Sequence, residues 1–197
     1  MSRLEGRAKP ILAPLIGGRG EFLSSEQQFI AATWATKTAI VVEATLSVNA
    51  DNFTLDEAGI VMRQDRPPAS ANVLIAAVVG WIPPLHYSAA KAAMYVNRNP
   101  VCKFHFHNVQ IGALVFQVVR RIPPPADYGA LRRFPVPREI ELPFDVASYI
   151  FPPSDRCEWP PKKPLDWQGL EGIGTRNIDM PEDWHLENPA QHPGDAT

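Results

Sequence analysis

The chain has 197 residues, 45% of them hydrophobic and 20% charged, with a formal net charge of −2. That length supports one domain with a buried core plus extensions, and the composition excludes collagen-like and wholly disordered classes. No apolar run reaches the roughly eighteen residues of a membrane-crossing helix, and two cysteines cannot build a disulfide framework.

Residues 1–23 read as an irregular N-terminal arm, whose short apolar run is broken by Pro14 and does not make a secretory signal. A cytoplasmic setting is therefore expected. Ser24–Val48 has the clearest period in the chain. Ser24 with Gln27, or Ser25 with Gln28, can form a capping box, and Gly17, Gly18 and Gly20 mark a loop just before it. Ile30, Trp34, Lys37, Val41, Ala44 and Val48 recur at spacings of three and four, which predicts a long helix with one apolar face. Thr54 and Glu57 suggest a second capping box, opening a short helix that ends before Pro67-Pro68.

Asn72–Trp81 is a continuous apolar run and reads as a buried strand. The second half of Tyr87–Asn97 is also read as strand, although its alanines favour helix. Val101–Val109 alternates, with Lys103, His105 and His107 on one side and Phe104 and Phe106 on the other. Gly112–Arg121 follows after a short link, so the two segments predict an antiparallel hairpin. The fold class expected is α+β, a small antiparallel sheet packed on one long central helix.

The chain's 21 prolines are about twice the average share, and the paired ones are incompatible with helix or central strand, so they divide the chain into elements. From Ile122 onward Pro, Arg, Tyr and Trp dominate, with short apolar pieces between them. Residues 1–163 carry 18 Lys and Arg against 14 Asp and Glu, a net of +4, while residues 164–197 carry 1 against 7, a net of −6. The expected organisation is an arm over 1–23, a single domain over 24–175 with an irregular proline-rich C-terminal segment, and an acidic disordered tail over 176–197.

Certain residues resemble a known family. WATKTAIVVEA (residues 34–44), GALVFQVVRR (112–121) and the pair YIFPP and EWPPKKPLDWQGLEGI (149–153 and 158–173) resemble the C-terminal half of HNH-endonuclease-like proteins of actinobacteria and their phages. The block Trp34-Ala35-Thr36-Lys37-Thr38-Ala39 is the most specific part of the likeness. In such proteins the nuclease chemistry is carried by an N-terminal zinc-knuckle region. Here there is no Cys-x-x-Cys and no Glu-His pair, so those catalytic residues cannot be carried over. The resemblance implies a companion domain without the nuclease part.

Three sets of residues are candidates for function. Lys37 interrupts the apolar stripe, which suggests either a lysine stem covering Trp34 or an ammonium held near a phosphate or carboxylate. His105 and His107 lie about 6.5–7 Å apart on one strand face and could chelate a divalent metal if His86, Cys157, Asp127 or Glu43 supplied a third ligand; the alternative puts both on the solvent face, with Phe104 and Phe106 in the core. Arg120-Arg121, Arg132-Arg133 and nearby aromatic residues could contact phosphates and bases, although a pI near 6.2 is below the value of about 9 expected of a dedicated nucleic-acid binder. The favoured function is a non-catalytic, cofactor-free module contacting nucleic acid or a protein partner through Trp34, Lys37 and the arginine pairs. The alternatives are a small metal-dependent enzyme and an oligomeric structural protein of a phage or other assembly.

Overall fold

The computed structural model describes residues 3–46, 53–80, 85–96, 99–122, 146–155, 157–166, 168–169 and 184–187. In chain order the elements are α1 (Arg3–Ile16), β1 (Glu21–Leu23), α2 (Ser25–Leu46), α3 (Leu55–Gln64), β2 (Ala71–Ala77), β3 (Leu85–Val96), β4 (Asn99–Ile111), β5 (Leu114–Ile122), β6 (Ala147–Phe151), β7 (Cys157–Trp159) and β8 (Trp184–Glu187). The main sheet has six strands in the order β6-β2-β5-β4-β3-β8, every neighbouring pair antiparallel, and β1 pairs with β7 separately. All three described helices precede the strands of the six-stranded sheet along the chain, so the architecture is α+β.

The N-terminal segment corrects the expectation of an irregular arm, because Arg3–Ile16 is a helix. Leu4, Ala8, Ile11, Leu12 and Leu15 form its buried stripe at the spacings of an amphipathic helix. Pro10 and Pro14 hide that period from a reading of the sequence. Each proline removes one helical hydrogen bond and costs about 3 kcal/mol in an ordinary helix interior. Gly6 and Pro10, whose carbonyls lose those bonds, are both exposed, so water can satisfy them. The four large buried side chains, at roughly 2 kcal/mol each, offset the loss.

Helix α2 is 22 residues long and opens as its sequence indicates. The Ser24 amide donates to Gln27 Oε1 at 2.8 Å, and the Gln27 amide donates to Ser24 Oγ at 3.3 Å. The face pressed against the rest of the molecule differs from the stripe of large residues. Gln28, Ala32, Ala35, Thr36, Ala39 and Glu43 are buried, whereas Val41 is 46% exposed. Small side chains let the helix approach closely, and polar ones are tolerated where they are bonded. Gln28 is an example: its Nε2 donates to the carbonyls of Leu23 and Ser154, and its Oε1 accepts from the Ser154 amide, all at 2.9 Å.

The β4–β5 hairpin turns through Gly112 and Ala113, joining the Ile111↔Leu114 pair. Gly112 has φ +55°, and a Cβ there would lie 2.7 Å from the Ile16 carbonyl oxygen. Only glycine satisfies both the left-handed backbone and this approach. The Ala113 amide then donates to the same Ile16 oxygen at 3.0 Å, tying the hairpin to the end of α1.

Both faces of the sheet are buried at β4. His105, His107 and Val109 share a face with Arg120, Val118 and Phe116 across the ladder, and Val118 and Phe116 belong to the core that includes α1 and α2 residues. Phe104, Phe106, Asn108 and Gln110 on the other face are also buried. The histidines therefore do not lie on a solvent face. Within the stretch expected to be a disordered tail, Trp184–Glu187 pairs with β3 as an edge strand; the rest of 176–197 and all of 123–145 lie outside the described residues. Among the described residues no helix is long and apolar enough to cross a membrane.

Candidate binding face on the helical layer

Lys37 sits on the side of α2 that meets α1. Its ammonium donates to Glu5 Oε1 on α1, with the two side chains 23% and 35% exposed. Lysine in the apolar stripe is thereby explained, since a half-buried ammonium is held by a carboxylate. Trp34, one turn earlier, is half-buried and packs on Phe116 of β5 with ring centroids 5.8 Å apart.

Two recesses of about 240 Å³ flank this ion pair. Arg3, Lys37, Arg63 and Asp65 line the first, and its apolar part comes from Leu4, Val61 and Met62. Among the described lining residues three cations face one carboxylate, and Glu5 already pairs with Lys37, so the recess is mildly electropositive. The second is lined by Leu12, Ala13, Ile16 and Trp34, with Glu5 and Lys9 as its charged members. Lys37 borders one recess and Glu5 the other, so their contact forms the ridge between them. Arg3, Glu5 and Arg63 were not singled out from the sequence. For Arg3 and Glu5 the signal that could have found them is the i, i+4 stripe of α1, interrupted by its prolines; Arg63 stands in the last turn of α3.

α3 presents Arg63 because its own sequence fixes its start and end. Thr54 caps it with a complete capping box to Glu57, and Asp65 ends it in the left-handed conformation, which aspartate tolerates better than most residues. Glu57 also reaches across to the sheet. Its carboxylate accepts from Arg120 Nε at 3.1 Å, lies 2.8 Å from the second guanidinium nitrogen, and accepts from Ser70 Oγ. Burial alone would raise the Glu57 carboxyl, but hydrogen bonds from Ser70, the Thr54 amide and Arg120, with the Arg120 charge, hold it below the usual range. Arg120 is only 6% exposed and its guanidinium lies 5.8 Å from the Phe53 ring centre.

This corrects the expectation that Arg120 contacts a ligand, because its fork is occupied inside the protein. Arg121 is half-buried, and its amide donates to the Ser70 carbonyl at 2.8 Å. Arg132 and Arg133 lie outside the described residues.

The histidine pair is interior. His107 Nδ1 is 2.9 Å from the Tyr87 hydroxyl, and its Nε2 is 3.8 Å from Glu43 Oε2, beyond hydrogen-bonding range. Burial, reinforced by the charges of Lys91 and Arg120, lowers His107 to about 4 and, with smaller contributions from His107 and Lys103, lowers His105 to about 3. Both rings are neutral near pH 7. Burial, and then the Glu43 charge, raises the Tyr87 phenol to about 12, so the phenol keeps its proton and suits the donor role toward His107.

Of the candidate third metal ligands among the described residues, Glu43 alone approaches His107. His86 pairs with Gln110 on the opposite face of the ladder, and Cys157 lies in β7 with its thiol raised to about 11 by burial. Asp127 lies outside the described residues. Among the described residues no group of three His, Cys, Asp or Glu is arranged to hold a metal ion. Comparison of the chain with protein-family models, with curated proteins and with solved structures finds no match in any of the three.

Proposed function

We propose that this chain is a non-catalytic binding module, akin to the companion domain of HNH-type nucleases, that engages an anion-bearing partner through the face formed by α1, α2 and α3. The observation that carries this reading is the placement of Trp34 and Lys37. They are the two large side chains of the block Trp34–Ala39, and they border two adjacent recesses while Ala35, Thr36 and Ala39 are buried in the core. The same helix thus presents the residues that bear the family likeness to a surface that can hold a ligand.

Several features favour binding over catalysis. The histidines are neutral and buried, so they offer no exposed general base. In this reading α2 is the one helix around which the fold is organised. The buried free thiol of Cys157 accords with a reducing, cytoplasmic setting.

Equilibrium binding of the full chain to a short oligothymidylate and to polyglutamate, over a salt series, tests the reading. Support requires that at least one probe binds, weakens as salt rises, and loses affinity in Lys37→Gln and Arg63→Gln. Absence of binding to both probes, or binding indifferent to both substitutions, would rule it out.

A further inference from the structure

The two recesses differ in chemistry and share a wall. One has three cations around an apolar floor, and the other is aliphatic with the Trp34 ring. Trp34 and Lys37, three residues apart on α2, put their Cβ atoms about 5–6 Å apart. In an extended peptide, side chains on one face recur about every 6.5–7 Å. A single extended segment can therefore place a carboxylate beside Lys37 and an aliphatic side chain beside Trp34.

Nucleic acid fits this pair of recesses less well. The second recess offers Leu12, Ala13 and Ile16 where base edges would need donors and acceptors. The first offers a cluster of cations rather than a track along a backbone, and the chain as a whole has a pI of about 6.2. An acidic residue flanked by aliphatic ones matches both halves of the surface.

One group already sits where the ligand's carboxylate would go. Glu5 holds the Lys37 ammonium from the ridge, and among the described residues Asp65 is the only acid in the lining of the basic recess. Building on the binding reading above, we propose that the α1–α2–α3 face docks an acidic-aliphatic peptide segment of a partner protein, and that Glu5 is its internal competitor, exchanged on Lys37 for the incoming carboxylate. Glu5 then sets the affinity without being needed for the fold. Neutralising it weakens the hold on the Lys37 ammonium and removes a like charge facing the ligand, while neutralising Lys37 removes the shared attraction.

The test uses the full chain and an immobilised library of short capped peptides carrying one glutamate or aspartate flanked by leucine, valine or phenylalanine. A matched library has glutamine or asparagine at the acidic position, and a short oligothymidylate is the third probe. Wild-type protein is expected to retain acidic-aliphatic peptides over their amide counterparts. Glu5→Gln is expected to tighten that binding about three- to tenfold, and Lys37→Gln and Arg63→Gln to weaken it by about tenfold. With the thermal midpoint of Glu5→Gln shown to match wild type, a gain of affinity cannot come from exposed core, so the opposite signs of Glu5→Gln and Lys37→Gln separate competition from a structural role. Loss or no change of affinity in Glu5→Gln would overturn the competitor assignment. Lys37-dependent binding of oligothymidylate with no retention of peptides would overturn the peptide while leaving the binding face standing. Failure of every probe to bind would overturn both.

Discussion

Lys37 on α2 donates to Glu5 on α1, 32 residues earlier in the chain, and their contact forms the ridge between a cationic and an aliphatic recess. The pair is only half-buried, with 23% and 35% exposure of the two side chains. Solvent screening keeps the contribution of such pairs small. Lys37→Gln is therefore expected to lower unfolding stability by no more than about 0.5 kcal/mol, measured by urea denaturation with an unchanged m-value. A loss of several kcal/mol would show that Lys37 is a core residue first.

Arg120 belongs to the opposite case. It is 6% exposed and shares Glu57 through two contacts. Arg120→Ala leaves the Glu57 carboxylate buried without its main counter-charge, and the expected loss is about 3–5 kcal/mol. The double substitution Arg120→Met with Glu57→Gln should recover much of it. If urea midpoints show the single variant to be nearly as stable as wild type, the pair is not buried as described. The same result makes alanine at Arg120 unsuitable as a probe of nucleic-acid contact.

The histidines give the stability a pH dependence with a fixed sign. His107 and His105 titrate near 6.5 when unfolded and at about 4 and about 3 when folded. The unfolded chain therefore binds more protons below pH 6.5, and stability is full above that pH and falls as pH drops toward 4 and then 3. For His107 the loss is on the order of 3 kcal/mol. His107→Gln should flatten that part of the profile in denaturation experiments run from pH 7 to 4, at some cost at neutral pH from the lost Tyr87 contact. A wild-type profile flat over this range would contradict the neutral, buried state of the rings.

Gly112 tests the junction between α1 and the β4–β5 hairpin. Its φ of +55° and the 2.7 Å approach of a Cβ to the Ile16 oxygen combine backbone strain of roughly 1–2 kcal/mol with a steric clash. Gly112→Ala should cost about 2 kcal/mol or more, read as a fall in thermal midpoint. Gly80→Ala makes a useful comparison. Its φ is +90° and a Cβ there would meet nothing within 4 Å, so only the strain applies.

Much of the fold was legible because the local signals agree with the tertiary result. The Ser24–Gln27 and Thr54–Glu57 boxes both form, and the β4–β5 hairpin follows from alternation and a glycine turn. β3 was ambiguous because alanine-rich segments favour helix, yet pairing with β4 along Leu85–Val96 overrides that preference. α1 was missed because Pro10 and Pro14 signal a break, while their position on the outward side makes them tolerable.

The site was legible in part. Lys37 and Trp34 stood out as a charge and an indole on one stripe, and the structure places both at the recesses. Arg120 looked like a surface cation because nothing near it in sequence reveals Glu57, 63 residues away. The histidines looked half-exposed because alternation predicts one wet face, whereas both faces of β4 are covered. Glu5 and Arg3 could not be joined to Lys37 without knowing that α1 is a helix packed on α2, nor Arg63 without knowing that α3 packs there too.

Amide chemical-shift mapping of the isotopically labelled full chain, titrated with a capped acidic-aliphatic peptide, tests the binding face most directly. The expected result is a set of shifts confined to residues around Leu4, Trp34, Lys37, Met62 and Arg63, which in Lys37→Gln appear only at about tenfold higher peptide concentration. Shifts centred on β4 around His105 and His107, or shifts at the helical face that persist unchanged in Lys37→Gln, would contradict it.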